Sequence, residues 1–343
     1  MLKKRFLKIY YCFIIFLFLL ITNSFGVTKT IDFEENINLY KAIKSELTRQ
    51  SVAYTYDDNV LEITLNIDDV TSLVLKEKNI NDIKQIQEFT ILNDLTLTKN
   101  KISDITALSG LTNLKWVSLD SNNIKDLTPL LGSKDKIIFL ELSNNVIDDI
   151  NVLANFQNLN WLSLDNNYVS NIKAIENLVE LETIYLSNNN VSDISDLEKI
   201  IKLKNLYLDN NNISNIDVLS NMENLEYLSI HGNKISDINS LVSSKKTLIS
   251  LELSSNDIHD INALKGFSKL NWLSLDDNKI SDINSLKDLN LLEKLYLSGN
   301  LISDLNPISN LENLIFLSVD RNKVEDITPI SNLKKIKELS RQY

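Results

Sequence analysis

Apolar residues return along this chain with a period of 22. From about Val70 to Leu333 the pattern L-x-x-L-x-L-x-x-N-x-I-x-D-I-x-x-L-x-x-L-x-x recurs, with two intervals lengthened to 23. Neither an amphipathic helix nor an ordinary hairpin holds such a register. In each unit the x-L-x-L-x stretch alternates with period two, which predicts a short strand. Leu162 and Leu164 then point inward while Trp161, Ser163 and Asp165 point outward. Stacking the units lines their strands into one parallel sheet, and the shortness of the remainder leaves room only for a tight 3₁₀ or helical turn on the far side.

Two polar columns run through this apolar frame. The first is Asn100, Asn122, Asn145, Asn167, Asn189, Asn211, Asn233, Asn256, Asn278, Asn300 and Asn322. It falls where the chain leaves the strand and turns inward, so a buried Asn there can bond backbone groups of its own and adjacent turns. An earlier unit has Leu73, Leu75 and Ile80 in register but Lys78 in place of Asn, making about twelve turns in all. The second column, four residues on, consists of ten Asp with Asn171 and Asn215. Asx residues favour the start of a helical turn, because their oxygens accept from its orphan amides. Pro129, Pro307 and Pro329 lie three residues beyond it, inside the first turn. A ladder of shared calcium ions is the alternative use of these carboxylates, but each turn supplies only one, whereas calcium gathers several oxygens at one point.

The pattern is the leucine-rich-repeat signature. The expected fold is an α/β solenoid: a curved coil with a parallel β-sheet on its concave face, short 3₁₀ turns on its convex face and a small helical N-terminal cap. Residues 27–69 are read as that cap, because Leu39, Ile43 and Leu47, with Tyr40 beside them, recur at helical spacing. The Tyr54 to Ile67 stretch returns as strand or loop. Residues 70–333 are the repeats, and 334–343 are a short polar tail with only Ile336 and Leu339 to cover the last turn.

The amino terminus stands apart. Lys3, Lys4, Arg5 and Lys8 precede an apolar run from Ile9 to Ile21. That run is shorter than the roughly 20 residues a membrane-spanning helix needs. Residues 1–26 therefore read as a secretory signal with cleavage near Gly26, an uncleaved membrane anchor being the alternative since no A-x-A site stands there. The single cysteine, Cys12, falls inside this run after Tyr10 and Tyr11, where lipid attachment is not expected. The exported chain would hold neither disulfides nor thiolate metal sites, and no cofactor is expected. A net charge of −11 argues against nucleic acid or an anionic membrane as partner.

If the leucines face inward, the outward side of the sheet carries the candidate binding residues. These are Trp116, Phe139, Trp161, Tyr185, Tyr207, Tyr227, Trp272, Tyr296 and Phe316. Large rings on a solvated face cost solubility, and Trp and Tyr are enriched at binding hot spots. A docked protein would run along Trp116 to Tyr227, with a second patch at Trp272 to Phe316; a glycan is the alternative ligand. A third outward column alternates acid and small polar residues, from Asp120 and Ser143 to Ser298 and Asp320, and favours a partner with basic patches.

Leu159 to Asp165 recurs letter for letter as Leu270 to Asp276, an offset of 111 or five units. A block of five units has been duplicated in tandem, so the rings also recur by copying, with or without selection for binding. Convergent catalytic groups are not found: there is no G-x-S-x-G, phosphate-binding glycine loop or H-E-x-x-H. His231 and His259 lack a second His at ligand spacing, and Glu141 and Glu252 lie five turns apart. The chain reads as a binding protein, not an enzyme.

The unit Leu206-Tyr207-Leu208-Asp209-Asn210-Asn211-Asn212-Ile213-Ser214-Asn215-Ile216 resembles the repeats of bacterial internalins. So does the junction Asp68-Asp69-Val70-Thr71-Ser72-Leu73-Val74-Leu75 followed by Asn79-Ile80-Asn81-Asp82-Ile83. The resemblance covers about Phe33 to Leu333 and implies a sickle-shaped receptor-binding surface, in a family where some members grip host proteins with concave aromatic residues. The chain is expected to be an extracellular monomer whose partner is a protein, with adhesion or virulence as the role by analogy. Internalins normally continue into an immunoglobulin-like domain, and here only 334–343 follow the repeats, so free secretion is a simpler expectation than surface anchoring. Two other readings stay open: an intracellular scaffold like the repeat regulators of eukaryotic protein phosphatases, and an envelope component that self-associates through its last turn.

Overall fold

A computed structural model describes residues 26–340; the expected signal segment lies outside them except for Gly26, as does Cys12. The repeats stack into a 13-stranded parallel sheet, from β4 (Ser72–Val74) to β16 (Glu338–Ser340), each strand pairing with the next in chain order. The register is uniform, so that Leu140, Leu162, Ile184 and Leu206 lie side by side. Short 3₁₀ turns close each unit on the convex side, and the three prolines fall at the second position of theirs, inside the first turn.

The apolar columns form one continuous core. In the turn that begins at Leu159, the side chains of Leu159, Leu162, Leu164, Val169, Ile172 and Ile175 are all buried, and the other turns repeat the arrangement. In the column eleven residues after the ladder asparagine, the two units of 23 residues place Ser133 and Ser244, both buried. Their 3₁₀ turns are six residues long, Thr128–Ser133 and Asn239–Ser244. Ser244 Oγ donates to the Met222 carbonyl at 2.6 Å, and Ser133 Oγ makes the same bond to Leu111. The unit after each carries a buried phenylalanine in that column, Phe156 and Phe267, restoring the volume that serine leaves.

At every turn the residue directly before the ladder asparagine has a left-handed backbone, from Lys99 at φ 56 to Arg321 at φ 52. This conformation swings the chain from the strand toward the convex side. Asn144, Asn166, Asn188 and Asn210 tolerate it, and Gly232 and Gly299 adopt it without strain.

The cap is more than a helix. α1 (Ile37–Arg49) buries Leu39, Tyr40, Ile43 and Leu47. It is joined by a three-stranded antiparallel sheet of β1 (Thr28–Asp32), β3 (Glu62–Asn66) and β2 (Tyr54–Asp57), in that spatial order. α1 also seals the first edge of the solenoid. The Val74 N–H donates to Glu46 at 3.1 Å, and Gln50 Nε2 donates to the Ser72 carbonyl at 2.8 Å. Burial pushes the Glu46 carboxyl up, but Arg49, Gln50 and the Val74 amide together outweigh it and hold the group below the usual range. An open sheet edge thus meets acceptor and donor in place of water.

The tail at 334–343 adds a strand. Glu338–Ser340 pairs with Phe316–Ser318 through backbone bonds such as Lys337 N to the Ile315 carbonyl at 2.9 Å.

Candidate functional site

The asparagine column lies inside the turns, as a line of side chains bonding backbone. Asn167 Nδ2 donates to the Leu142 and Leu164 carbonyls at 3.0 Å each, and its Oδ1 accepts from Ile147 N at 3.0 Å. Every member from Asn122 to Asn300 is buried, whereas Asn100 and Asn322 at the ends are half-buried. On the convex side each Asp or Asn of the second column accepts from the amide two residues on; Asp193 takes Ser195 N at 2.9 Å and Asp282 takes Asn284 N at 2.8 Å. These bonds satisfy the orphan donors that begin each 3₁₀ turn. Among the described residues no three His, Cys, Asp or Glu side chains gather as they would around a metal ion.

The rings predicted as binding residues all lie on the outward side of the sheet, outside the core. Two of them are well exposed, Trp116 at 43% and Tyr227 at 37%, and the other seven are half-buried against one another. They form two runs of contacting rings, with stacked pairs in the first and tilted pairs in the second. The first begins with Trp116 on Phe139, centroids 3.7 Å apart, and continues to Trp161 at 4.7 Å. There it changes column, because Thr183 follows Trp161 in the sheet, and Tyr185 takes over at 5.3 Å with Tyr207 parallel to it at 4.4 Å. The second links Trp272 to Tyr296 at 5.4 Å and Tyr296 to Phe316 at 4.6 Å. Tyr227 joins neither. The face therefore divides after Tyr207, one turn earlier than the sequence suggested.

Stacked pairs of this kind are worth about 0.5–1.5 kcal/mol beyond their buried area. The rings are thus held in place before anything binds. Burial pushes the Tyr207 hydroxyl up to about 12, with Tyr185 adding to it, so it stays protonated as a donor at neutral pH. Trp161 Nε1 is buried in the stack without a hydrogen-bond partner among the described residues.

The third outward column does something that sequence reasoning missed. Asp120 Oδ1 accepts from Ser143 N at 2.6 Å, Ser143 Oγ accepts from Asp165 N at 3.0 Å, and Asp165 Oδ1 accepts from Ser187 N at 2.6 Å. Each side chain serves the amide of the next turn. Alternating Asp with Ser keeps the carboxylates two strand spacings apart, about 10 Å, which tempers their repulsion. The ladder breaks at His231: its amide still donates to Asp209 at 2.8 Å, but Ser254 N turns to Glu252 of its own turn at 2.7 Å. The acid column is thus partly a structural device, and less of its charge is open to a partner than the sequence implied.

This has a pH consequence. Burial pushes Asp120, Asp165 and Asp276 up to about 6, with Glu141 adding to the effect at Asp120. Their folded pKa lies above the unfolded value, so between about pH 4 and 6 the folded chain binds more protons than the unfolded one. The stability they contribute is present in acid and lost as pH rises through about 6. The urea midpoint should therefore be higher at pH 5 than at pH 7. The triple Asp→Asn variant, which keeps each Oδ1 acceptor, should flatten that difference; a wild-type midpoint that falls between pH 7 and pH 5 would count against this reading. Further acidification reverses the trend, as Glu46 and Glu176, whose pKa values are lowered, take up protons.

Known proteins share this architecture. Models of leucine-rich repeats match residues 157–199, 201–243 and 290–335, and a second such model matches 223–280 and 246–302. No curated protein sequence matches the chain. Among solved structures, an internalin, InlF, from Listeria monocytogenes is 26% identical with a TM-score of 0.79, covering 90% of this chain and 96% of its own. A Leptospira interrogans leucine-rich-repeat protein is 25% identical with a TM-score of 0.74, over 80% of this chain and 72% of its own. The ectodomain of an Arabidopsis thaliana membrane receptor kinase, GASSHO1, solved with CASPARIAN STRIP INTEGRITY FACTOR 2, has the same fold at 18% identity and a TM-score of 0.65, over 79% of this chain and 38% of its own. The repeat models jointly span about half of the sequence, and the asparagine ladder, the parallel sheet and the capping helix complete the pattern: the chain belongs to the leucine-rich-repeat proteins and is internalin-like in its build.

Proposed function

We propose that this chain is an exported binding protein that docks another protein on the ring-bearing face of its sheet. One observation carries the reading: five rings from Trp116 to Tyr207 form an unbroken run of ring-to-ring contacts on the outward side of the strands, stacked except for the tilted pair Trp161 and Tyr185. Rigid aromatic groups offer contact area at little entropic cost, which is why they dominate binding hot spots. The GASSHO1 ectodomain, with the same fold, was solved with a partner bound. Export rests on the charged and apolar segment at residues 1–26. Among the described residues no helix is long and apolar enough to cross a membrane.

The test is capture of partners from host and bacterial extracts by the whole chain, beside a Trp116→Ser, Trp161→Ser variant. Truncating a hot-spot residue costs about 2 kcal/mol or more, roughly 30-fold, so the pair should weaken binding at least about 100-fold while the circular dichroism spectrum is kept. A bound protein that the variant holds equally well would reject this surface.

A further inference from the structure

The two runs of rings are separated by a cleft of about 490 Å³ in the middle of the face. It opens where Ser250 and Ser229 stand in columns that carry rings in neighbouring strands. Ser250 lies between Tyr227 and Trp272 in one column, and Ser229 follows Tyr207 in the next. Tyr227 and Trp272 thus flank Ser250 two strand spacings apart, about 10 Å at the backbone. A planar group stacked between two rings needs about 7 Å, and side chains on a concave face converge toward their tips.

The cleft is also acidic. Asp209 and Glu252 line it, and no lysine or arginine does. Asp209 uses Oδ1 for the His231 amide and the Ser229 hydroxyl, and Glu252 uses Oε1 for the Ser254 amide, so each carboxylate has its second oxygen to offer. Neither forms an ion pair among the described residues. Two half-buried carboxylates without an ion pair, beside the exposed Tyr227 and the half-buried Trp272, match one chemistry: a flat cation that stacks on rings and donates a fork of hydrogen bonds.

We infer that this cleft seats an arginine side chain of the docked protein, an assignment that rests on the binding function proposed above. Arginine fits better than lysine, because the guanidinium plane can lie against Tyr227 or Trp272 while its N–H groups reach Asp209 and Glu252. The overall charge of −11 favours the same kind of partner.

The test follows the indole N–H of Trp272 by NMR in the whole chain while N-acetylarginine amide is added, with N-acetylcitrulline amide as its uncharged isostere. A saturating shift at Trp272, absent at Trp116 and absent with the citrulline probe, is expected. The Asp209→Asn, Glu252→Gln variant keeps the acceptors used by the ladder and should bind the arginine probe at least fivefold more weakly. No saturating shift, an equal response to citrulline, or unchanged affinity in the variant would overturn the assignment. The capture experiment changes only Trp116 and Trp161, which do not line the cleft, so loss of capture there beside a silent cleft would sink this inference and leave the docking surface standing.

Discussion

Replacing Asn189 with alanine is expected to lower stability by about 3 kcal/mol or more. The side chain sits mid-solenoid, 7% exposed, and accepts from Val169 N at 2.9 Å. It donates to the Leu164 and Leu186 carbonyls at 2.9 and 3.1 Å, with the Ser187 carbonyl at 3.2 Å. Alanine removes every one of those bonds and supplies none, while the backbone groups stay buried. Each buried group left unsatisfied costs about 1–3 kcal/mol, against only about 1 kcal/mol that a made hydrogen bond contributes on balance. Asn190, one residue on, is exposed, and Asn190→Ala should stay within about 0.5 kcal/mol. Urea unfolding of the two variants beside the parent decides the matter, and equal midpoints would mean that water replaces the ladder.

That ladder was legible because its signal is periodic. A leucine column needs only burial to be read, and an asparagine recurring at one place among leucines marks a polar group that the core must satisfy. The cap was legible only in part. Leu39, Ile43 and Leu47 betray the helix, but the pairing of Thr28–Asp32 with Glu62–Asn66 joins segments about 30 residues apart, and nothing local to either one announces it. The last strand was hidden for a different reason. Glu338–Ser340 carries one leucine, half of the usual alternation, and forms because Phe316–Ser318 offers it backbone partners.

At the site, the outward direction of the rings follows from period two alone. Their grouping does not. Whether Trp161 stacks on Tyr185 or lies free depends on Thr183, a buried neighbour in the same column that gives no ring to continue it. The Asp and Ser alternation was visible as composition, yet its purpose was not. It serves the amides of the adjacent turn, 22 residues away, and only stacking brings those together. The left-handed residue before each ladder asparagine could have been found from Asn166-Asn167, Asn188-Asn189 and Gly232-Asn233, but Lys99 and Arg321 conceal the rule.

Phe267→Ala should cost about 3–5 kcal/mol, toward the upper end of what core phenylalanines lose. The ring is fully buried on the convex side of the unit whose strand, Ser250–Glu252, floors the cleft. In the preceding unit the same column holds Ser244, whose hydroxyl is already committed to the Met222 carbonyl. A leucine neighbour could shift to fill part of a cavity; a hydrogen-bonded serine cannot, so more of the void remains and the penalty grows with it. The duplicated partner site, Phe156 beside Ser133, should behave alike, whereas Phe316→Ala on the outward face should lose only about 1 kcal/mol or so with its single ring contact to Tyr296. Denaturant midpoints for the three variants test the scheme. The cleft adds a second readout: with its floor unsupported, Phe267→Ala should weaken binding of N-acetylarginine amide at Trp272, while Phe156→Ala, five units away, should leave it unchanged.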